Sequence, residues 1–214
     1  MQKLKFAIGI PTINRSDLLN EALIKYAKTY PNTDIFIIDN GNQKISSPHP
    51  KTEIFVSPIN YGVAKSWNYL ADRIFNVGYD YALILNDDIV LGSNENELNK
   101  FIEEVVCKYD FVVTNNNWCS FILSKETVKK VGWFDEKFGN AYFEDNDYYY
   151  RMQLIGMSYY KDTILDPEIF RNSQTIQKDN SLNFGFDKNK AYYISKWGGE
   201  PHNEKYKIPF NRID

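Results

Sequence analysis

Two adjacent carboxylates, Asp87 and Asp88, follow Asn86 directly behind the apolar run Tyr81-Ala82-Leu83-Ile84-Leu85. A turn would account for Asn and Asp here, since both bond their own backbone. Side by side behind a buried strand, however, two negative charges repel each other unless something offsets them. A divalent cation would do so. Oxygen ligands suit Mg²⁺ or Mn²⁺, which commonly bind through one or two carboxylates plus substrate phosphates. Neighbouring side chains on extended backbone point to opposite sides, so one acid is expected on the metal and the other on the ligand. A second acidic set, Glu144, Asp145 and Asp147, stands among Tyr142, Phe143, Tyr148, Tyr149 and Tyr150. Acids at a helix start complement the helix dipole, which accounts for one or two of them. In partly apolar surroundings a carboxylate has a raised pKa and can act as a general base. His202, in a loop with Gly199, Pro201 and Asn203, is either a further metal ligand or a surface residue; Mn²⁺ accepts imidazole better than Mg²⁺ does.

The elements that must position these groups are legible from apolar periodicity. Phe6-Ala7-Ile8-Gly9-Ile10, ended by Pro11, reads as a buried strand, and Ser16 as the N-cap of a helix carrying Leu18, Leu19, Ala22, Leu23 and Tyr26. Ile35-Phe36-Ile37-Ile38 is a second strand, stopped by the turn cluster Asp39-Asn40-Gly41-Asn42, and Glu53-Ile54-Phe55-Val56 a third. Val63, Trp67, Leu70, Ala71 and Ile74 mark a helix entered through Asn60-Tyr61-Gly62; the run before Asn86 is a fourth strand. Leu98, Phe101, Ile102 and Val105 mark another helix, Phe111-Val112-Val113 and Phe121-Ile122-Leu123 are short strands, and Ser124 caps a helix that Gly132 ends. Further helices are expected in the second half of 142–155 and over 187–197, the last closed by Gly198-Gly199, while the polar stretch 172–183 reads as a loop over a site. Alternating strands and helices predict an α/β protein with a mostly parallel central sheet and helices on both faces. In such a sheet ligands bind outside the carboxyl ends of the strands. Three polar clusters fall there: Thr12-Ile13-Asn14-Arg15, Asp39-Asn40 and Asn86-Asp87-Asp88.

Composition narrows the function classes. The 214 residues suggest one domain. Lys and Arg number 25 against 28 Asp and Glu, a net charge of −3, which argues against a nucleic-acid partner. Hydrophobic residues at 43% and charged residues at 25% exclude disorder and coiled coil. No run of about 18 apolar residues is present, so no membrane-spanning helix is expected. Cys107 and Cys119 form no metal-binding pattern, which suits a reduced, cytoplasmic location. The 16 tyrosines, 14 phenylalanines and 4 tryptophans can build either a dense core or platforms for bases and sugars.

The order of these motifs resembles GT-A fold glycosyltransferases, in particular the family 2-like group. The resemblance rests on Pro11-Thr12-Ile13-Asn14-Arg15, on Asp39 in Ile37-Ile38-Asp39-Asn40, on Asn60-Tyr61-Gly62 with Asn68, and on Asn86-Asp87-Asp88 as a DxD-type motif with Asn in first place. It rests also on Gly132-Trp133-Phe134-Asp135-Glu136 followed by Phe143-Glu144-Asp145-Asn146-Asp147. The C-terminal Tyr192-Tyr193 and Lys196-Trp197-Gly198-Gly199 look like a tail of small virus- or bacterium-encoded members, which would place a viral chain in the host cytoplasm. The resemblance implies a single GT-A domain over 1–214, with nucleotide-sugar binding in about 1–90 and the acceptor side in about 91–214; the chain could also be one domain of a longer protein.

It implies a metal-dependent transferase that moves a sugar from a nucleotide-diphosphate donor, a UDP-sugar first, to a glycan or glycoconjugate hydroxyl with inversion. Asp145 would be the catalytic base. Asp88 would hold Mn²⁺ or Mg²⁺, with His202 as a further ligand. Thr12, Arg15, Asp39, Asn60, Gly62, Asn68 and Asp87 would bind the nucleotide sugar, Asp39 reading the base. Trp133, Glu144 and Trp197 would face the acceptor. Two other readings stay open, a sugar-nucleotide pyrophosphorylase and a non-catalytic carbohydrate-binding homologue. Against the first stands the absence of glycine from residues 11–15.

Overall fold

A computed structural model describes residues 5–109, 111–113, 118–157, 159–170 and 185–211. The expected loop at 172–183 lies outside the described residues. Nine strands and six α-helices follow one another among the described residues. They are β1 Phe6–Thr12, α1 Ser16–Thr29, β2 Ile35–Asp39, β3 Thr52–Val56, α2 Gly62–Val77, β4 Tyr81–Leu85, β5 Ile89–Leu91 and α3 Glu95–Glu104. After these come β6 Phe111–Val113, β7 Ser120–Ser124, α4 Lys125–Val131, α5 Glu144–Leu154, β8 Tyr159–Lys161, β9 Pro167–Phe170 and α6 Phe186–Trp197.

Seven strands form one sheet in the order β3-β2-β1-β4-β7-β6-β8. All are parallel except β7, which runs antiparallel to β4 and β6. β5 and β9 pair separately. The mostly parallel sheet and the helices on both faces are as expected. In β1 and β2 the period of two sends Ile8, Ile10, Ile35 and Ile37 to one face, against Leu19 and Leu23 of α1 and Leu98 and Phe101 of α3. Ala7, Phe36 and Ile38 face the other way, against Trp67, Leu70 and Ile74 of α2 and Tyr148 and Met152 of α5. Gly9 lets α2 close on β1: a Cβ there would lie 2.9 Å from Ile84 and 3.2 Å from Leu70.

Two local expectations are corrected. β1 does not stop at Pro11 but runs to Thr12. Its pairing with β4 ends at Gly9↔Ile84, so Pro11 borders only β2 and its missing N–H breaks no ladder on the other side. Ser16 is not the N-cap: the helix begins at Ser16, Arg15 holds the cap position without a side-chain bond, and the Ser16 N–H donates to Gln43 Oε1 at 2.6 Å. A long-range side chain does the capping that sequence reading assigned to a local hydroxyl.

Candidate active site

The chain passes outward from β1 through β2 to β3, then returns to place β4 on the other side of β1. That reversal opens a crevice at the carboxyl ends of β1 and β4, the usual ligand position in an open α/β sheet. The pocket there is lined by Pro11, Thr12 and Ile13 after β1, Asn40 after β2, and Asn86, Asp87 and Asp88 after β4. Asn60, Gly62, Val63 and Trp67 at the start of α2 form a second wall, and Asn140 and Ala141 a third. Its enclosed volume of about 150 Å³ is well below the ~300–1,000 Å³ of pockets that swallow a drug-sized ligand.

Asp87 and Asp88 are both buried. The Thr12 hydroxyl donates to Asp87 Oδ2 at 2.7 Å, joining the ends of β1 and β4. Burial, with a contribution from the Asp88 charge, pushes the Asp87 pKa up to about 7 against the opposing Thr12 bond and the nearby Arg15 charge. Among the described residues no group of three His, Cys, Asp or Glu is gathered to hold a metal. What is present is a pair of adjacent hard-oxygen donors, of which Asp87 has its pKa raised by burial. This fits a divalent ion held by one or two carboxylates and completed by substrate phosphates.

Asn40 ties the pocket together: its Nδ2 donates to Ser66 Oγ at 3.0 Å and its Oδ1 accepts from the Tyr61 N–H at 3.0 Å. Asn60 Oδ1 accepts from the Gly62 N–H, turning the chain into α2. Gly62 sits at φ +72°, with the Asn140 backbone nitrogen 2.7 Å from where a Cβ would be. Arg15 is buried; its Nε and Nη2 grip the Asp17 carboxylate, and Nη1 has no hydrogen-bond partner among the described residues. Arg15 is not among the residues that line the pocket, and its Nη1 is closed to solvent.

Several expected site residues are placed otherwise. Asp39 is fully buried and faces its own loop: Oδ1 accepts from the Gly41 N–H and from Gln43 Nε2, and Oδ2 from the Gln43 N–H at 2.6 Å. It organises a turn instead of standing open to a base. Asn68 lies off the pocket, clamping α2 to the turn after α4 through the Phe134 N–H and C=O and Glu136. Trp197 is 1% exposed and donates its indole N–H to Asp147, so no sugar can stack on it. His202 is exposed, with its ring 6.4 Å from Tyr149, and takes no part in lining the pocket. The tail folds back there because Lys205 and Tyr206 donate to the Trp197 carbonyl, which sets His202 beside Tyr149 of α5.

The second acidic set is split by its surroundings. Asp147 is fully buried and structural, bound by Arg151 Nε at 2.9 Å, Trp197 Nε1 at 2.8 Å and Lys196 Nζ at 2.6 Å. Glu144 is buried with Oε2 unpartnered among the described residues; burial first, then the Asp145 charge, holds its pKa well above the usual range. Asp145 is half-buried, and burial raises its pKa too, against a bond from the Asn146 N–H. It is the acid of the three with both exposure and proton affinity. Trp133 is 41% exposed and remains available to an acceptor. Sequence reading passed over Gln43, whose Nε2 lies 3.3 Å from Thr12 Oγ1 and so links Asp39 to Asp87 through Thr12. It also took Trp67 for core alone, although Trp67 lines the pocket with an indole N–H unpartnered among the described residues.

No family model matches the chain. Among solved structures it is similar to a mannosyltransferase from Pyrobaculum calidifontis in complex with GDP-Man and Mn²⁺, with a TM-score of 0.63 and 12% identity, covering 94% of this chain and 67% of that one. It is similar also to GalNAc-T7 with UDP, GalNAc and Mn²⁺, with a TM-score of 0.57 and 11% identity, covering 90% of this chain and 51% of that one. A galactofuranosyl glycosyltransferase of Leishmania donovani is 31% identical over 104 residues, 48% of this chain. The match spans 23% of that relative's length. At such identities the structural likeness carries the fold, and the architecture this chain shares with these transferases is the GT-A fold.

Proposed function

We propose that the chain is a glycosyltransferase that binds a nucleotide-diphosphate sugar at the β1–β4 crevice and transfers the sugar, with inversion, to a hydroxyl of a glycan. The observation that carries this reading is the buried Asp87–Asp88 pair, tied to Thr12 at the reversal of strand order. Asp87 and Asp88 would hold Mn²⁺ or Mg²⁺, and a bound divalent ion supplies Lewis-acid stabilisation of a leaving diphosphate. The Trp67 indole N–H, in the pocket wall, is a donor left for the donor substrate. The acceptor oxygen attacks the anomeric carbon, the bond from that carbon to the diphosphate oxygen breaks, and the acceptor proton passes to Asp145. A carboxylate of raised pKa is suited to accept it. One base and one displacement invert the anomeric centre.

UDP and GDP are the nucleotides named for the similar structures. With Asp39 committed to its own loop, this chain gives uracil no prior advantage, so both nucleotides belong in the test. Calorimetry with UDP and GDP, each with and without Mn²⁺, should show metal-dependent binding of one of them. Incubation with the matching nucleotide sugars and glycan acceptors should release the nucleoside diphosphate, and NMR of the first product should show inverted configuration. Failure of both nucleotides to bind would refute the assignment, and retained configuration would remove Asp145 from the role of sole base.

A further inference from the structure

Asn140 and Ala141, the third wall of the pocket, belong to the segment 139–143 that leads straight into Glu144 and Asp145. Three non-glycine residues there are left-handed: Asn140 at φ +55°, Tyr142 at +80° and Phe143 at +72°. L side chains adopt such backbone only where their surroundings enforce it. On one side the enforcement comes from α2, where the Val63 N–H donates to the Asn140 carbonyl at 2.7 Å. On the other it comes from Asn189 of α6, which is 1% exposed. Its Nδ2 lies 2.8 Å from the Gly139 carbonyl, 2.8 Å from Ala141 and 3.2 Å from Tyr142. Three acceptors around one amide settle its orientation, since the amide oxygen has no proton to offer them. Without a donor at that point, three carbonyl dipoles would face one another in a buried space. Other side chains of α6 bind elsewhere or pack on the segment by ring contact alone: Tyr192 and Lys196 bind Asp135, Lys196 and Trp197 bind Asp147, Tyr193 binds Glu204, and the Phe186 and Tyr193 rings lie against Phe143.

We propose that Asn189 is a positioning residue of the active site: it fixes the 139–143 segment, and through it the direction in which Asp145 enters α5. The consequence for turnover rests on the transferase reading; the clamp itself does not. Asn189→Ala removes the donor, and Asn189→Asp keeps the shape while turning an acceptor toward three acceptors. In both, ¹H–¹⁵N NMR should show shifted and broadened resonances for residues 139–143, with those of β1, β2 and β4 in place. kcat should fall ~10²-fold, the scale of a small misplacement of a reacting group, and by more than the affinity for UDP or GDP with Mn²⁺ falls. Unchanged loop resonances in a folded variant would overturn the clamp, and so would disturbance spread evenly over the sheet. An undiminished kcat beside a disturbed loop would overturn the positioning role. If the wild type turns over no nucleotide sugar, the transferase reading fails, and the loop resonances still decide the clamp.

Discussion

At Asp87 burial and the adjacent Asp88 charge outweigh the Thr12 bond, and the pKa rises to about 7. The folded state therefore holds a proton that the unfolded chain releases near pH 4. Between those limits the native state binds more protons, so stability falls as pH rises through the window and the loss is complete above pH 7. Asp87→Asn keeps an acceptor for Thr12 and removes the charge. It should match the wild type near pH 3.5 and exceed it at pH 8, in metal-free buffer, by up to about 4 kcal/mol, the size of a three-unit shift. Urea denaturation at the two pH values checks this; a gain independent of pH would contradict it. Asp88→Ala should leave a folded protein that no longer binds UDP or GDP in a Mn²⁺-dependent way, as titration calorimetry will show. Asp145→Asn should lower the transfer rate ~10²–10⁴-fold, the usual general-base contribution. Donor affinity should be nearly unchanged, and an equal fall in both would move Asp145 to the donor site.

The start of α2 is where an element and the pocket meet. Gly62 combines a left-handed φ with the close approach of Asn140, so Gly62→Ala meets both strain and a 2.7 Å contact with backbone. Left-handed strain alone costs about 1–3 kcal/mol, and relief of the contact would push residues 139–143 away from α2. Thermal unfolding should show that loss of stability, and nucleotide binding should weaken with it. Further along the same helix, Asn68→Ala would strand the buried Phe134 N–H and C=O. An unsatisfied buried group costs about 1–3 kcal/mol. The expected outcome is a lower denaturation midpoint with nucleotide affinity per folded molecule intact, which separates Asn68 from the site.

For the whole molecule, α6 is the piece that joins the turn after α4 to α5. Lys196 binds Asp135 at 2.7 Å and Asp147 at 2.6 Å with its side chain only 8% exposed. Burial alone would raise the Asp135 pKa, but the Lys196 bond and charge with the Lys137 N–H bring it below the usual value. That contribution is present at neutral pH and is lost as pH falls below the carboxylate range. Lys196→Met leaves one buried carboxylate, Asp147, and one half-buried, Asp135, with one cation fewer. Removing one partner of a buried pair typically costs about 3–5 kcal/mol, and Arg151 and Trp197 still serve Asp147, so about 3 kcal/mol is expected at pH 7. Chemical denaturation at pH 7 and pH 3.5 should show the deficit shrinking at the lower pH.

The helices, six of the strands, the mostly parallel sheet and the polar clusters at its carboxyl edge were legible in the chain because each depends on neighbours a few residues apart, whereas the short strands β5, β8 and β9 carry too few residues to show a period. Ile8, Ile10, Ile35 and Ile37 alternate by two, and Leu19 and Leu23 repeat by a helical turn, whatever the rest of the fold does. Asp87 and Asp88 stood out for the same reason: their conflict is with each other and with the strand before them. Other assignments turned on partners that only packing supplies. Asn68 meets Phe134, Trp197 meets Asp147, and Asn189 meets the carbonyls of Gly139, Ala141 and Tyr142, each across roughly fifty residues or more. Asp39 showed as an acid at a strand end, but whether its oxygens turned to a base or to Gly41 and Gln43 depended on the path of the following loop. His202 had the chemistry of a ligand, and which groups it stands beside was set by the turn after α6. Local periodicity is written in one dimension; which polar groups become partners is decided when the sheet, the helices and the returning tail close on one another.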